Sequence, residues 1–420
     1  MACLGPAGNA ATVEIIPGGG ETMKLSIIIP AYNEEEAIAA IIGRCLAERE
    51  NMVRETPVTD VEVIVVDDGS HDRTAEIAGQ FSDITLVSYE KNRGYGAAIK
   101  TGFEKATGSL VAFLDADGTC DPHYFIDMCR KLVEEEADIV IGSRMTPESK
   151  MPAIRKVGNR FYAAMINFLG NTAITDSASG MRVIRKSSLK KLYPLPDGLH
   201  FTPAMSCRAV MDQNLTIAEV PMRYEERVGR SKLGVLQDGM RFLKTIIDIA
   251  LTYKPFKFFG IAGIITFLTG FLYGLYPFFY YLKFRLVPDY MIYRLVTIMV
   301  LIVTSIGLFT VGIISDDVIQ LIHKNNSRAK GFKSLMYRAL SQRKLILLGA
   351  AVTLLGIALN YKTIWEYLNT GRIDIPWVYV VTGAFLVMVG LQAVALGIVR
   401  RILALLRRAE AERSTDDIRG

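Results

Sequence analysis

The chain has 420 residues, half of them hydrophobic, with a formal net charge of +5. That length exceeds one ordinary domain, and the positive mean hydropathy places part of it in lipid. So mild a charge gives no sign of a nucleic-acid partner. Five cysteines (Cys3, Cys45, Cys120, Cys129, Cys207) without a CxxC pair argue against a disulfide framework or a zinc site and fit a reducing, cytosolic compartment.

Residues 1–23 are Gly/Ala-rich, without a basic start or apolar run, and are expected to form a flexible tail rather than a signal peptide. Met23 is a candidate alternative start. Beyond it, β-branched-rich runs at 25–29, 61–66, 84–87, 110–114 and 139–141 alternate with amphipathic stretches at 34–48, 72–80, 97–106 and 122–135. The runs predict buried strands and the stretches predict helices. Their alternation predicts an open, mainly parallel α/β sheet, which binds ligands outside the carboxyl ends of its strands. The polar motifs fall at those ends.

The first run leads into Pro30-Ala31-Tyr32-Asn33-Glu34 and the second into Asp67-Asp68-Gly69-Ser70. Carboxylates there can accept hydrogen bonds from a nucleobase or ribose. Each motif alone is often a turn with a helix N-cap, and two on neighbouring strands strengthen the nucleotide reading. Lys91-Asn92-Arg93-Gly94-Tyr95-Gly96 opens the next helix, where small residues allow close backbone approach and a helix N-terminus favours an anion. The fourth run ends in Asp115-Ala116-Asp117-Gly118. Two acids one residue apart repel each other. A hard divalent cation, Mg2+ or Mn2+, relieves that repulsion and takes further oxygens from a diphosphate. The plain alternative is a surface turn with solvated acids.

After Pro255 come four apolar segments, 256–282, 291–315, 344–362 and 377–399, each near the roughly 20 residues a helix needs to cross hydrocarbon. The link between the second and third carries His323, Lys324, Arg328, Lys330, Lys333, Arg338, Arg343 and Lys344. The tail after the fourth carries Arg400, Arg401, Arg407 and Arg408, whereas the remaining links hold only Lys283 and Arg285, and Arg372. The positive-inside rule then places the α/β domain and both termini of a multi-pass membrane protein in the cytoplasm. Between the two parts, 234–253 sets Leu236, Met240, Leu243 and Ile247 at helical spacing with Arg241, Lys244 and Asp248 among them. This predicts one or two amphipathic helices at the membrane interface, with an ordinary core helix as the alternative. The expected organisation is a tail at 1–23, a catalytic α/β domain at 24–233, an interfacial segment at 234–255, a four-helix transmembrane domain at 256–399 and a basic tail at 400–420.

The motifs at 30–34, 67–70, 92–96 and 115–117, in this order, resemble those of inverting glycosyltransferases with the GT-A fold. Gly142-Ser143-Arg144, Asn159-Arg160, Asp176-Ser177-Ala178-Ser179-Gly180-Met181-Arg182 and Arg227-Val228-Gly229-Arg230-Ser231-Lys232 narrow the likeness. They are similar to those of dolichol-phosphate mannose synthase and the bacterial polyprenyl-phosphate glucosyltransferases. The resemblance implies a GT-A (Rossmann-like) domain that moves a hexose from UDP-glucose or GDP-mannose to undecaprenyl or dolichyl phosphate, with inversion. It implies that Pro30, Tyr32, Glu34, Asp67, Asp68, Asn92, Gly94, Asp115 and Ala116 hold the nucleotide sugar, and that Asp115 and Asp117 hold the metal. It further implies that Arg144, Arg160, Arg227, Arg230 and Lys232 meet the acceptor phosphate, with Asp117, Arg144, Arg160 and Arg230 as the catalytic set. Where many dolichol-phosphate mannose synthases have a Gln in the metal shell, this chain has Thr119.

A sugar hydroxyl acceptor needs a general base, but a phosphate monoester, with a second pKa of about 6, is already largely ionised. Such a transfer needs cations to bring two anions together and a metal to let one leave. The acids therefore read as the donor side and the later arginines as the acceptor side. Asp176 is open as a base, a sugar contact or a structural loop residue. The expected partners are a nucleotide sugar, a polyprenyl-phosphate lipid and the membrane, with no nucleic acid; the crossing helices also allow a homo-oligomer. A processive polysaccharide synthase would carry a Gln-x-x-Arg-Trp motif, but Trp365 and Trp377 are the only tryptophans and both edge crossing segments. A non-catalytic scaffold would have lost ligands such as Asp115, Asp117, Arg144 and Arg230, and all four are present.

Overall fold

The computed structural model describes residues 23–170, 172–229, 234–322, 341–373 and 375–419, with residue 235 and residues 410–419 described by their backbone alone. Arg230, Lys232 and the basic link from His323 to Arg338 lie outside the described residues. The chain divides into two compact units between Ile249 and Ala250.

In the first unit, strands β1 (Met23–Ala31), β2 (Val58–Asp67), β3 (Thr85–Ser88), β4 (Leu110–Phe113), β5 (Ile139–Ser143), β6 (Arg182–Arg185) and β7 (Ile217–Pro221) form one sheet in the order β3-β2-β1-β4-β6-β5-β7. β1 runs parallel to β2 and β4, β2 to β3, and β5 to β7. β6 is antiparallel to both of its neighbours. Covering it are α1 (Ile38–Ala47), α2 (Arg49–Glu55), α3 (Thr74–Ala78), α4 (Tyr95–Lys105), α5 (Tyr124–Glu134), α6 (Ala153–Gly170), α7 (Leu189–Leu192) and α8 (Phe201–Met211).

The central strands are buried on both faces, so they read as unbroken apolar runs: Leu25 to Ala31 and Leu110 to Phe113 are buried throughout. Helix α1 buries Ile38, Ile41, Ile42 and Cys45, the i, i+3, i+4, i+7 stripe of a helix lying on a sheet. All five expected strands are present, and β6 and β7 are additional. β6 has only Val183 and Ile184 between two arginines, too short an apolar run to signal a strand. Helix α1 starts later than expected because Glu34 ends a turn: its carbonyl accepts the amides of Ala37 and Ile38.

Helix α9 (Val235–Tyr253) forms as a single helix. Phe242 and Ile246 are buried while Leu236 and Met240 stand exposed, so one helix carries both a packed face and an open apolar face.

The second unit holds α10 (Pro255–Phe284), α11 (Ile292–Ile322), α12 (Gln342–Thr370) and α13 (Trp377–Arg419). Four helices, Pro255–Phe284, Asp289–Ile322, Gln342–Thr370 and Trp377–Ala409, are long and apolar enough to cross a membrane. Thirty residues span about 45 Å, more than the ~30 Å of hydrocarbon, so each runs past the segment expected from composition. α10 packs on α11, α12 on α13, and α11 also on α13.

Candidate active site

The loops after β1, β2, β4 and β5 open on one cavity of about 730 Å³, within the range of small-molecule sites. Pro30, Ala31, Tyr32 and Glu34 enter from the β1 end, Asp68 from β2, Asn92, Gly94 and Tyr95 from the start of α4, Asp115, Ala116 and Asp117 from β4, and Arg144 from β5. The opposite wall is built by α6 (Ile154, Val157, Asn159, Tyr162), Tyr224, Arg227 and the Arg241–Phe242 turn of α9. Most of the residues expected to form a site thus meet in one place. Two do not line it: Asp67 is buried beneath the β2 end, where its carboxylate accepts the Ser70 amide, and Arg160 points outward, exposed on α6.

Each of the paired acids is held by its own neighbour. The Tyr95 hydroxyl donates to Asp115 Oδ1 at 2.7 Å. A side chain at residue 180 would collide with the other oxygen of Asp115, and Gly180 leaves that space. Burial and the nearby Asp117 push the Asp115 carboxyl up to about 7. Asp117 Oδ1 accepts the Thr119 hydroxyl at 2.6 Å and the Thr119 amide at 3.1 Å. Thr119 therefore orients the acid from beneath. Among the described residues no group of three His, Cys, Asp or Glu is arranged to hold a metal ion. Two mutually repelling carboxylates nevertheless fit a hard cation that completes its shell with phosphate oxygens and water.

The arginines are engaged differently from expectation. Arg144 Nε and Nη2 donate to the two oxygens of Asp176 at 2.8 and 2.9 Å, and Asn159 Nδ2 adds a third bond at 3.0 Å. Burial opposes the charge on Asp176, but the Arg144 guanidinium outweighs it and lowers the carboxyl below its ordinary value. Asp176 is thus a fixed partner of Arg144. Arg227 turns to the acids, with Nη1 3.0 Å from Asp117 Oδ2 and Nη2 on Glu34. The acids and arginines of the site are consequently paired with one another. Arg182, fully buried under the site, donates to the carbonyls of Ser177, Ser179 and Thr202 and to the Ser206 hydroxyl, and burial lowers its pKa to about 10.

The start of α4 also departs from expectation. Its anion is supplied by the protein itself: Asp68 accepts the amides of Arg93 and Gly94 at 2.7 and 2.9 Å. The amides of Gly96 and Ala97 go to the Asp197 carbonyl at 2.6 and 3.1 Å. Gly94, at φ +104°, and Gly96 are needed because a Cβ on either would strike the 196–197 backbone. That segment makes the close approach to Gly94 and Gly96, while Asn92 and Gly94 also line the cavity. Tyr95, within the same motif, is a site residue that sequence reasoning misses, since nothing in its spacing shows that it turns toward Asp115.

A mainly parallel sheet bearing acids at the carboxyl ends of its central strands, gathered on one cavity, is the architecture of the GT-A glycosyltransferase class. Residues 26–193 match the family model described as glycosyl transferase family 2, and residues 255–414 match a domain of unknown function (DUF8752). The chain belongs to glycosyl transferase family 2 and is a glycosyltransferase. It is 30% identical over 239 residues to dolichyl-phosphate beta-glucosyltransferase ALG5C of Trichomonas vaginalis, covering 53% of this chain and 69% of that one. It is 31% identical over 233 residues to a dolichyl-phosphate hexose transferase of Haloferax volcanii, covering 54% and 94%. The solved structure of glucosyl-3-phosphoglycerate synthase from Mycobacterium tuberculosis with Mn2+, UDP and glucosyl-3-phosphoglycerate aligns at a TM-score of 0.42 and 21% identity, over 55% of this chain and 80% of that one.

Proposed function

We propose that the protein transfers a hexose, with inversion, from UDP-glucose or GDP-mannose to undecaprenyl or dolichyl phosphate, giving a polyprenyl-monophosphate sugar. The observation that carries this reading is that paired acids and two partly buried arginines, Arg144 and Arg227, share one cavity flanked by exposed apolar side chains. Ile154, Val157 and Phe161 on α6 and Leu236 and Met240 on α9 are large, exposed and apolar. The two helices are joined by the Tyr162 hydroxyl, which donates to the Gly239 carbonyl at 2.8 Å. Water disfavours such a surface. A bilayer accepts it, and a prenyl tail could lie there with its phosphate in the cavity. The names of the curated relatives support the same acceptor class.

On this reading the loop after β1 and Asp68 hold the nucleoside, and Asp115 and Asp117 face the diphosphate. A divalent cation, Mg2+ or Mn2+, bound at those acids would supply the charge that stabilises the leaving diphosphate. Tyr95 and Thr119 keep the two carboxylates turned to that task. Arg144, with Nε and Nη2 spent on Asp176, keeps Nη1 for the acceptor phosphate, whose ionised oxygen attacks without a base. Asp176, already paired, orients Arg144 and takes no proton. The α/β unit and both termini are assigned to the cytoplasm, with α9 at the interface.

The test is to incubate membranes holding the full chain with a panel of nucleotide sugars and a polyprenyl phosphate, with and without EDTA, and to identify the lipid product by mass. A single hexose on the lipid phosphate, lost with EDTA, is expected. Asp117→Asn should cost at least about a hundredfold in rate, as removal of one preorganised charge-stabilising group does. Glycosylation of a hydroxyl acceptor alone would overturn the reading, and a growing polysaccharide would indicate a processive synthase.

A further inference from the structure

Arg227 is tied to the acids of the donor side from both its side chain and its main chain. Its guanidinium bridges Asp117, from the loop after β4, and Glu34, from the loop after β1, with about a fifth of the side chain exposed. The next residue's amide, Val228 N, donates to the Asp117 carbonyl at 3.2 Å. The Nε of Arg227 is buried without a hydrogen-bond partner among the described residues. An unspent buried donor costs free energy, so this resting place is not one the side chain fills completely. Gly229, two residues later, holds a left-handed backbone at φ +80°.

We infer that Arg227 is the resident counter-cation of the donor site, holding Asp117 and Glu34 until a divalent cation arrives with the nucleotide diphosphate, and only then becoming free for an anion on the acceptor side. This rests on the donor-side reading of Asp115 and Asp117 given above. Asp117 has one oxygen on Thr119 and the other on Arg227, so a cation entering at that carboxylate meets a guanidinium already in place. A guanidinium keeps its charge inside a protein, so the side chain cannot yield by losing a proton. It has to move. Neutralising Asp117 and meeting an incoming phosphate are then alternating duties of one side chain, and the protein carries its own brake on nucleotide-free metal binding.

The experiment is a titration of the full chain in nanodiscs with Mn2+ alone, reading free Mn2+ by electron paramagnetic resonance. Arg227→Met should bind Mn2+ about tenfold tighter than the wild type, the scale of one charged hydrogen-bonded contact. Arg241→Met, which removes another cation lining the same cavity, should change affinity by less than about twofold, being an exposed charge. No gain in Arg227→Met, or an equal gain in both variants, overturns the inference. If Arg227→Met does not fold, Arg227→Lys decides. An ammonium cannot fork across two acids, so a severalfold gain is expected and its absence is fatal. Asp117→Asn separates the two readings. If it leaves Mn2+ affinity unchanged, the donor-site assignment falls and the brake falls with it. If it abolishes binding while the Arg227 variants match wild type, only the brake falls.

Discussion

In the sheet unit the fully buried side chains include Leu25, Ile27, Ile28, Ile29 and Phe113, whereas along α10 of the helical unit the buried positions are Pro255, Gly260, Gly263, Gly270 and Pro277. Phe267, Phe271 and Leu272 on that same helix face outward. The inversion follows from the solvent. Water drives large apolar groups inward. Lipid tails are as apolar as leucine, so helices associate where small residues let their backbones close up. Charges obey one rule in both units. Arg144 and Asp176 are paired at 2.8 Å in the sheet unit, and Arg400 of α13 and Asp317 of α11 at 2.9 Å in the helical unit, with all four residues largely buried. Changing the solvent reverses which side chains pack, but not the need to give an ion polar partners out of water.

Breaking one of those pairs is expected to have the largest effect. Arg144→Leu leaves the Asp176 carboxylate buried without its cation, at a cost of about 3–5 kcal/mol, and Asp317→Ala, which removes the buried carboxylate paired with Arg400, should cost the same. Denaturation of the full chain in micelles, followed separately in each unit by a local fluorophore, measures both. A cost below about 1 kcal/mol at Asp317, the level of a surface pair, would mean that water reaches it and that the two pairs are not equivalent. Next in size is the contrast in apolar truncation. Ile29→Ala should cost about 2–5 kcal/mol, while Leu272→Ala should stay within about 0.5 kcal/mol. Equal costs would show that the outer face of α10 is covered by protein rather than lipid.

The same contrast decides which features are legible in the amino-acid sequence. The strands at 25–29 and 110–114 are legible because a strand covered on both faces is an unbroken apolar run. The crossing helices are legible because lipid demands length and an absence of charge. β6 is not: its two apolar residues lie between arginines, and the Arg182 guanidinium is taken by Ser177, Ser179, Thr202 and Ser206, which nothing local to 182–185 announces. The acids of the site are legible from their spacing after an apolar run. Their pairings are not, since Arg227 meets Asp117 across 110 positions and Arg144 meets Asp176 across 32. For the same reason the loop at 92–96 reads as a phosphate cradle. Gly94 and Gly96 do permit close backbone approach, but what approaches is the 196–197 segment, far along the chain. Residue type shows what a side chain can do; its partner is set by the fold.

The smallest expected effect tests the packing rule of the helical unit at single atoms. Gly349 and Gly356 of α12 lie seven residues apart and face Gly390 and Gly383 of α13, which are also seven apart. A Cβ at Gly349 would stand 2.7 Å from the Gly390 carbonyl oxygen, and one at Gly356 the same distance from that of Gly383. Both obstacles are backbone, which cannot rotate away as a side chain can. Gly356→Ala therefore has to push the two helices apart, forfeiting dispersion contacts on either side, at about 1–3 kcal/mol. In water the same change within a helix is favourable by up to about 1 kcal/mol, because glycine is the poorer helix former. The sign thus separates the two explanations for these glycines. A destabilised α12–α13 pair, measured by the denaturant midpoint of a fluorophore pair placed across them, supports close backbone contact as what holds the unit together. A stabilised one would mean that the seven-residue glycine spacing does not hold the two helices together, and that the remaining side-chain contacts between them suffice.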